Sequence, residues 1–451
     1  MAACEKASSQ LEQQLQRIFA DRRKTGQLDL EAAEMAIRST VHQTGADAVT
    51  ELLRLSPPGE DHRRIPCTCG RVARYEGMRS RPILTVVGWA HIDRPYYLCP
   101  ACHTGQFPAD VELDIDKTDF SPGVRRMLAA VGGVAPFAQG RDQMKLLAGL
   151  EVTAKTVERT AESIGEDIEI RQQKDIQSAK QLHLPAVAGP SIPYLYIQMD
   201  GTQVFVVKTE TEGRSSRTPG QSARTRECKL GAVFTQTTVD DQGRPVRDED
   251  STTYVGAIET AEEFGLRIYT EAWSRGWDRA TIRVVMGDGS DWIWNNSDQH
   301  FPGAIQIVDL YHAREHLWDL ARKLNPADEA AQKHWLMRKL DWLENGRIEK
   351  LALALRKLAY AEQNAELAKA IRIEAEYFDS NQARMRYPEF RKKNLFVGSG
   401  VIEAGCKTVI GSRLKQSGMF WSVRGANAVI ALRCCLLNGE LEDYWAARRI
   451  A

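Results

Sequence analysis

Apolar residues in the N-terminal part of the chain recur every three or four positions, which indicates amphipathic helices over residues 1–56. The recurring positions are Leu11, Leu15, Ile18, Phe19, Leu28, Leu30, Ala33, Met35 and Ile37. A Ser-Pro-Pro-Gly sequence at residues 56–59 interrupts the pattern. We therefore predict an N-terminal helical region over residues 1–60, with a docking or oligomerisation role.

Strand-like apolar runs follow at residues 83–87 and 96–98, and they lie between two pairs of cysteines. The paired cysteines are Cys67 with Cys69, and Cys99 with Cys102. A hairpin would bring the pairs together, so that four thiolates surround one Zn²⁺ tetrahedrally. Nine cysteines behind an N-terminus without a secretory pattern favour reduced thiols and metal ligands over disulfides. We predict a structural zinc ribbon over residues 61–110, with His103 as a competing ligand.

Residues 121–170 have helical spacing with glycine interruptions, which predicts three short helices. Ser121-Pro122 opens the first, Gly132-Gly133 ends it, and Thr153 caps the third. This order is typical of a helix-turn-helix, in which the N-terminal part of the last helix reaches base edges. The residues expected to face outwards there are Lys155, Thr156 and Arg159. We predict a helix-turn-helix-like DNA-binding region over residues 111–185, although three-helix units that bind no DNA share the pattern.

From residue 194 the pattern changes to β-rich runs, with three strands first and then an alternation of helices and strands. This order favours an α/β fold with a mixed sheet over residues 186–451. The first strand is predicted to end at Asp200-Gly201, the fourth to end just before Asp288, and the fifth to run into Asp309. Residues 326–380 form an α-helical insertion, and a later helix carries Glu403.

Composition narrows the class of protein. The chain has 451 residues, of which 43% are hydrophobic, and 60 Lys and Arg balance 60 Asp and Glu. These values are typical of a soluble globular protein, and no apolar stretch is long enough to cross a membrane. We expect a cytoplasmic protein that associates with the nucleoid when it binds DNA. Although the net charge of the whole chain is zero, its C-terminal part is basic, since residues 381–451 hold 12 Lys and Arg against 5 Asp and Glu.

The carboxylates at the strand ends suggest phosphoryl-transfer chemistry. In a mixed sheet of this order the first and fourth strands are neighbours, so Asp200 and Asp288 would lie side by side. Two such carboxylates repel each other unless a divalent cation such as Mg²⁺ binds between them. Glu403 would complete a site for two ions about 4 Å apart, which orient the attacking group and stabilise the leaving oxygen.

A competing motif is His312-Ala313-Arg314-Glu315-His316, which matches the His-x-x-Glu-His pattern of some zinc peptidases. The segment follows a strand directly, and matches of this length arise by chance in many proteins. A zinc peptidase is therefore a remote alternative.

Four motifs together resemble the DDE transposases of bacterial insertion sequences, specifically the ISKra type, and more distantly the Mutator-like enzymes. They are Met199-Asp200-Gly201-Thr202, Met286-Gly287-Asp288-Gly289-Ser290, Val308-Asp309-Leu310-Tyr311-His312-Ala313 and Gly398-Ser399-Gly400-Val401-Ile402-Glu403-Ala404. The resemblance covers residues 194 to about 435. It implies an RNase H-like fold, a helical insertion before the last acid, and Mg²⁺-dependent cleavage and transfer of DNA strands at element ends. The implied catalytic triad is Asp200, Asp288 and Glu403.

One departure from the resemblance concerns the second acid. Mutator-like relatives have Cys-x-x-His after that acid, where this chain has Asp309-Leu310-Tyr311-His312. Either Asp288 or Asp309 is thus the second metal ligand, and we prefer Asp288. We expect His312 to support a ligand or to position DNA.

The basic C-terminal segment fits contact with DNA. Its candidate residues for clamping phosphates and stacking on a base are Arg413, Lys415, Trp421 and Arg424. A buried tryptophan with surface charges is the alternative interpretation.

The sequence therefore predicts a DNA transposase with two catalytic Mg²⁺ ions and one structural Zn²⁺. Its expected partner is double-stranded DNA, which comprises both the ends of the element and the target into which they are joined. DNA transposition joins two ends at once, so a homo-oligomer is expected. The alternatives are an RNase H-like nuclease that does not join strands, and an inactive regulator descended from a transposase.

Overall fold

The computed structural model describes residues 29–214 and 223–448, together with part of residues 5–20. Ile18 and Leu28 of the predicted N-terminal pattern lie outside the described residues. The chain divides into two compact units, one formed by the residues up to Ala161 with those from Trp445 onwards, and the other by Glu162–Tyr444. Within the described residues, no helix is both long and apolar enough to cross a bilayer.

The first unit begins with helix α1, Leu30–Leu52, which Asp29 caps by accepting a hydrogen bond from the Ala32 N–H. A four-stranded antiparallel sheet in the order β1-β2-β3-β4 follows. Its strands are β1 (Arg64–Pro66), β2 (Val72–Thr85), β3 (Gly88–Leu98) and β4 (Gly105–Gln106). The predicted hairpin between the cysteine pairs is confirmed, since β2 and β3 pair along their length.

Helices complete this unit. They are α2 (Pro108–Glu112), α3 (Pro122–Val134), α4 (Phe137–Gln143) with a π-helical turn at Met144–Ala148, and α5 (Ala154–Lys180), which runs on into the second unit. The predicted caps at Ser121 and Thr153 are confirmed, because each side chain accepts a backbone N–H. Helix α3 ends at Val134, one residue beyond the predicted end at Gly132-Gly133. A Cβ on Gly132 would lie 2.7 Å from the Ala161 Cβ, so this glycine permits close packing of α3 against α5.

The second unit is built on a five-stranded mixed sheet in the order β11-β10-β5-β6-β9. Its strands are β5 (Ile192–Phe205), β6 (Thr225–Gln236), β9 (Thr253–Ala257), β10 (Ala280–Gly287) and β11 (Ile305–Val308). A small hairpin of β7 (Thr238–Val239) and β8 (Pro245–Val246) lies between β6 and β9 in the chain. Strands β5, β10 and β11 are parallel, whereas β6 is antiparallel to both β5 and β9. The predicted mixed sheet is thereby confirmed.

Two details of the predicted strands are wrong. The first two predicted strands are one strand, β5, which continues through Asp200-Gly201 because Asp200 pairs with Leu230 and Gly201 with Lys229 on β6. The local Asp-Gly turn signal is overridden by this pairing across the sheet. Strand β9 was not predicted.

Helices cover the sheet and fill the insertion. After β9 come α6 (Ala261–Ser274), α7 (Asp291–His300) and α8 (Leu310–Leu324). The insertion contains α9 (Glu329–Glu344), α10 (Ile348–Ala361) and α11 (Ala365–Ser380), and the chain continues with α12 (Tyr387–Lys392). The last elements are α13 (Gly400–Gly405), a π-helical stretch Cys406–Gly411, α14 (Ser412–Leu414), α15 (Val423–Leu437) and α16 (Leu441–Arg448). One apolar core extends from the sheet into the insertion.

Candidate active site and metal centre

One predicted acid, Asp200, lies on β5, and a second, Asp288, directly follows the last residue of the neighbouring parallel strand β10. Gln198 on β5 pairs with Met286 on β10, and Asp200 and Asp288 each lie two residues further along. The two residues therefore lie near each other at the edge between β5 and β10, and the charge of Asp288 acts on Asp200. Both residues are half-buried.

Gln198 also fixes the helix that carries the third acid. Its fully buried side chain accepts a 3.0 Å hydrogen bond from the Ile402 N–H and donates to the Gly398 carbonyl oxygen at 3.4 Å. Glu403 follows Ile402 directly on α13, is exposed, and accepts a 3.4 Å hydrogen bond from the Ser399 hydroxyl. Helix α13 is thus attached to the same strand that carries Asp200.

Burial and several neighbouring groups shift the pKa of the Asp200 carboxyl. Burial raises the pKa of the Asp200 carboxyl above its ordinary value, and the negative charge of Asp288 raises it further. Hydrogen bonds from the Cys406 thiol at 3.4 Å and the Gly201 N–H at 2.7 Å oppose this shift, as does the charge of His312. A divalent cation would relieve the repulsion between the two carboxylates.

Cys406 was not singled out by the sequence. It lies three residues after Glu403, where the helix widens into the π-helical stretch Cys406–Gly411. Burial raises the pKa of its thiol, and so does the neighbouring Asp200. The buried Arg433 supports the stretch by donating to the Val409 carbonyl at 2.6 Å and to that of Thr408.

The loop that carries Asp288 is held from two directions. The Asp288 carboxylate accepts hydrogen bonds from the Ser290 N–H at 2.8 Å and from its hydroxyl at 3.0 Å. The Tyr377 hydroxyl, from α11 of the helical insertion, donates to the Asp288 backbone carbonyl at 3.0 Å. Gly289 has a φ of +104°, and a Cβ there would lie 2.5 Å from the Tyr377 ring. The insertion therefore contributes directly to the shape of this loop.

Asp309 has a different environment. It is fully buried at the N-cap of α8, where it accepts a 2.8 Å hydrogen bond from the His312 N–H. Its other oxygen accepts a hydrogen bond from the Ser399 N–H. Both carboxylate oxygens thus bind backbone groups, and they connect α8 to the segment that precedes Glu403.

The His-x-x-Glu-His motif is not arranged as a peptidase site in the described structure. His316 Nδ1 lies 2.7 Å from a Glu374 carboxylate oxygen, and its ring stacks on Tyr377 at 3.9 Å. The Glu315 side chain is 73% exposed and has a carboxylate oxygen 3.5 Å from His312 Nδ1, but among the described residues the motif does not form a group of three ligand atoms within 4.8 Å of one another.

The four predicted cysteines of the first unit converge. Cys67 Sγ lies 3.6 Å from Cys102 Sγ, and Cys69 Sγ lies 3.7 Å from Cys99 Sγ. Thiolates that surround Zn²⁺ at about 2.3 Å are about 3.8 Å apart at the corners of a tetrahedron, whereas a disulfide requires about 2.0 Å. The four cysteines therefore have the spacing to bind a metal such as zinc.

Among the described residues, this cluster is the only group of three or more His, Cys, Asp or Glu whose ligand atoms all lie within 4.8 Å of one another. His103 is not part of it, although the sequence left that possibility open. The oxygens of Asp200, Asp288 and Glu403 are spread more widely. A wider spread is compatible with two ions about 4 Å apart, because no single ion then needs all three ligands.

The three residues predicted to contact DNA on the recognition helix differ in their exposure to solvent. Lys155 and Arg159 are exposed on the first turns of α5, and Thr156 is half-buried. Lys155 Nζ lies 2.6 Å from a Glu158 carboxylate oxygen, so part of its charge is neutralised. The Thr156 hydroxyl lies 3.0 Å from that of Thr153.

The C-terminal candidates separate into buried and accessible residues. Arg413 is fully buried 5.1 Å from the Trp421 ring, and Trp421 is 7% exposed, so the described conformation does not present these two side chains to DNA. Burial lowers the pKa of the Arg413 guanidinium to about 10, and the neighbouring Arg433 contributes. Lys415 is half-buried and bonds to Thr202, whereas Arg424 is exposed and forms a 2.5 Å ion pair with Glu166.

Comparisons with known proteins are distant. No protein-family model matches the chain, and no curated protein matches it. Among solved structures, it is similar to the Drosophila P element transposase strand transfer complex, at 9% sequence identity and a TM-score of 0.25. That similarity covers 75% of this chain and 83% of the other. Because both values are low, nothing about the function of that complex is transferred to this chain.

Proposed function

We propose that this chain is a DNA transposase of the DDE type, with an RNase H-like catalytic domain in its second unit. The observation that carries the proposal is the role of Gln198. It lies two residues before Asp200, pairs with the strand position two residues before Asp288, and anchors the helix that carries Glu403. Gln198 thus connects the strand of Asp200, the strand that precedes Asp288 and the helix that carries Glu403.

Asp200, Asp288 and Glu403 would hold Mg²⁺ in this proposal. The ions would activate the attacking water or 3′-hydroxyl and stabilise the leaving oxygen during strand cleavage and transfer. The residues fit hard cations because all three offer carboxylate oxygens. The pKa of Asp200 is raised first by burial and then by the charge of Asp288, and a cation would neutralise that charge.

The environment of Asp309 supports Asp288 as the second metal ligand. Both oxygens of Asp309 accept hydrogen bonds from backbone N–H groups, and the residue is fully buried. A carboxylate used in this way caps a helix and joins two segments. Asp288 is half-buried and its charge acts on Asp200, as expected of two carboxylates that would share an ion.

The first unit would recognise the element ends. Zn²⁺ on Cys67, Cys69, Cys99 and Cys102 would be structural, because four thiolates leave no open position for water. The exposed Lys155 and Arg159 on α5 would contact DNA. We further propose a homo-oligomer, since transposition needs two ends at once.

The proposal is tested with purified protein and labelled duplexes that carry the DNA flanking the reading frame. Mg²⁺-dependent nicking at the element boundary is expected, followed by joining of the 3′ end to a target plasmid. Asp200→Asn, Asp288→Asn and Glu403→Gln should bind the duplex and neither nick nor join. Nicking without joining would favour a nuclease, and binding without nicking by the native protein would favour an inactive regulator. Joining by Asp200→Asn would overturn the mechanism.

A further inference from the structure

Two phenylalanine rings lie in contact at the end of β5, and both face solvent. Phe420 is 60% exposed and Phe205 is 43% exposed. Their ring centroids are 6.1 Å apart, with an angle of 69° between the planes. Exposed apolar side chains normally occur singly, so two in contact form a continuous apolar surface that suits a flat ligand.

The backbone fixes the position of this pair. The Trp421 N–H donates to the Phe205 carbonyl at 3.1 Å, and the Val207 N–H donates to the Trp421 carbonyl at 3.0 Å. Successive side chains of an extended segment point in opposite directions. Since Trp421 points inwards and donates from Nε1 to the Leu414 carbonyl at 3.1 Å, its neighbour Phe420 points outwards.

Phe420 borders a cavity that has basic residues in its wall. Its volume is about 690 Å³, and Phe420 forms part of its wall. The charged residues in the wall are three basic ones, Lys208, Arg214 and Arg224, and one acidic one, Glu212. An apolar ring surface beside an excess of positive charge matches the chemistry of a nucleotide, in which the base stacks and the phosphate pairs with cations.

We propose that Phe420 and Phe205 bind an unpaired base of the DNA strand that is cleaved, and that the basic wall binds its phosphates. The inference rests on the proposed function. Phe205 lies five residues after Asp200 on β5, which corresponds to about 17 Å at about 3.3 Å per residue. The base would therefore lie roughly five nucleotides from the metal site, at about 3.4 Å per stacked nucleotide.

Binding of fluorescein-labelled single-stranded dT20 to the zinc-loaded full chain in buffer without Mg²⁺ tests the site without catalysis. Phe420→Ala should weaken binding to dT20 by about ten-fold and change binding to a blunt duplex by less than two-fold. Phe420→Trp should restore affinity, and dT20 should quench its added fluorescence relative to native protein. The matched control is Tyr360→Ala, since Tyr360 is an aromatic residue with 95% exposure on α10.

Two further variants keep the test decisive. If Phe420→Ala lowers the melting temperature, Arg214→Glu and Arg224→Glu provide the same measurement without changing the aromatic contact, and should also weaken dT20 binding. Unchanged dT20 affinity in Phe420→Ala, or equal losses for dT20 and duplex, would overturn the proposal. If the native protein cleaves DNA but Phe420→Ala binds dT20 as tightly as the native protein does, this inference is refuted and the proposed function is not. If Phe420→Ala selectively loses dT20 binding but the native protein never cleaves DNA, the proposed function is refuted and the binding site is not.

Discussion

The Tyr377 hydroxyl lies 3.0 Å from the backbone carbonyl oxygen of Asp288 and donates a hydrogen bond to it. Tyr377 belongs to the helical insertion, and its ring stacks at 3.9 Å on His316, which in turn contacts the buried Glu374. The helical insertion therefore contacts the candidate site directly. It holds the loop in which one candidate metal ligand lies.

Removing this hydroxyl tests its positioning role. Tyr377→Phe should reduce Mg²⁺-dependent cleavage about ten-fold, because small displacements of a reacting group have large effects on rate. The free energy of unfolding should fall by only about 1 kcal/mol, the usual net contribution of one hydrogen bond. DNA binding should not change. Cleavage assays and urea denaturation check both values, with Tyr360→Phe as the control, and native cleavage rates in Tyr377→Phe would refute the role.

The raised pKa of Asp200 makes a prediction about pH. Since burial and then the charge of Asp288 raise the pKa in the folded state, the folded state holds this proton more tightly than the unfolded state. Without metal, stability should therefore fall as the pH rises from about 4, the ordinary Asp value, through the raised value. Asp200→Asn should reduce this loss, to which Glu271 also contributes because burial raises its pKa to about 7, and should abolish the stabilisation by Mg²⁺, as measured by melting temperature from pH 4 to 8.

Asp248 provides a control of opposite sign. Although burial acts to raise the pKa of Asp248, hydrogen bonds from Thr235 and Thr237 lower it below the ordinary value. Its stabilising contribution is present above the ordinary Asp value and is lost as the pH falls through the lowered value. Asp248→Asn should therefore destabilise the protein at pH 7 and leave the Mg²⁺ effect intact. A Mg²⁺ response that survives in Asp200→Asn would contradict the assignment.

Asp309 is expected to stabilise the fold rather than bind metal. Asp309→Ala would leave the N–H groups of His312 and Ser399 without their acceptor in a buried place, so unfolding should become easier by about 2–4 kcal/mol. Asp328→Ala removes an exposed N-cap and should cost about 1 kcal/mol. Chemical denaturation measures both. If Asp309→Asn instead retains stability and loses the Mg²⁺ response, Asp309 takes the place of Asp288.

The sequence predicted the parts of the site that have local signals. The Thr-x-x-Glu spacing of Thr260 and Glu263 is a local capping-box signal, and the two side chains form that box at the start of α6. The predicted order of strands makes the strand of Asp200 and the strand before Asp288 neighbours. The predicted end of β5 at Asp200 was wrong because pairing with β6 outweighs a local turn preference. The contacts of Gln198 and Tyr377 could not be predicted, since they join residues 204 and 89 positions apart, and no spacing along the chain marks such pairs.

The cysteine cluster predicts one bound Zn²⁺ per chain. Cys99 is fully buried in the core of its sheet, so Cys99→Ser should remove the metal and unfold the hairpin around it. His103 is exposed, follows Cys102 directly and is outside the cluster. The variant His103→Ala should therefore retain the full zinc content. Metal analysis by mass spectrometry separates the two. Full zinc content in Cys99→Ser would exclude the four-thiolate site.

The first turns of α5 make a graded prediction for DNA binding. Arg159 and Lys155 are both exposed, but Lys155 forms a 2.6 Å ion pair with Glu158. Arg159→Ala should therefore weaken binding to element ends more than Lys155→Ala does. Its loss should cost about 1–3 kcal/mol and relax sequence preference if it reads a guanine edge. If it contacts phosphate alone, affinity should fall equally for all sequences, and the salt dependence should become shallower by about one ion.

Glu158→Gln completes this test, because it removes the partner of Lys155 without removing a cation. Binding should become tighter, as the freed ammonium group and the lost negative charge both favour contact with phosphate. Fluorescence polarisation over a series of salt concentrations distinguishes the three variants. The fold should stay intact in all of them, since the inward side of α5 is formed by Val157, Thr160 and Ile164. If element-end binding is the same in native protein, Arg159→Ala and Glu158→Gln, this turn of α5 does not face DNA.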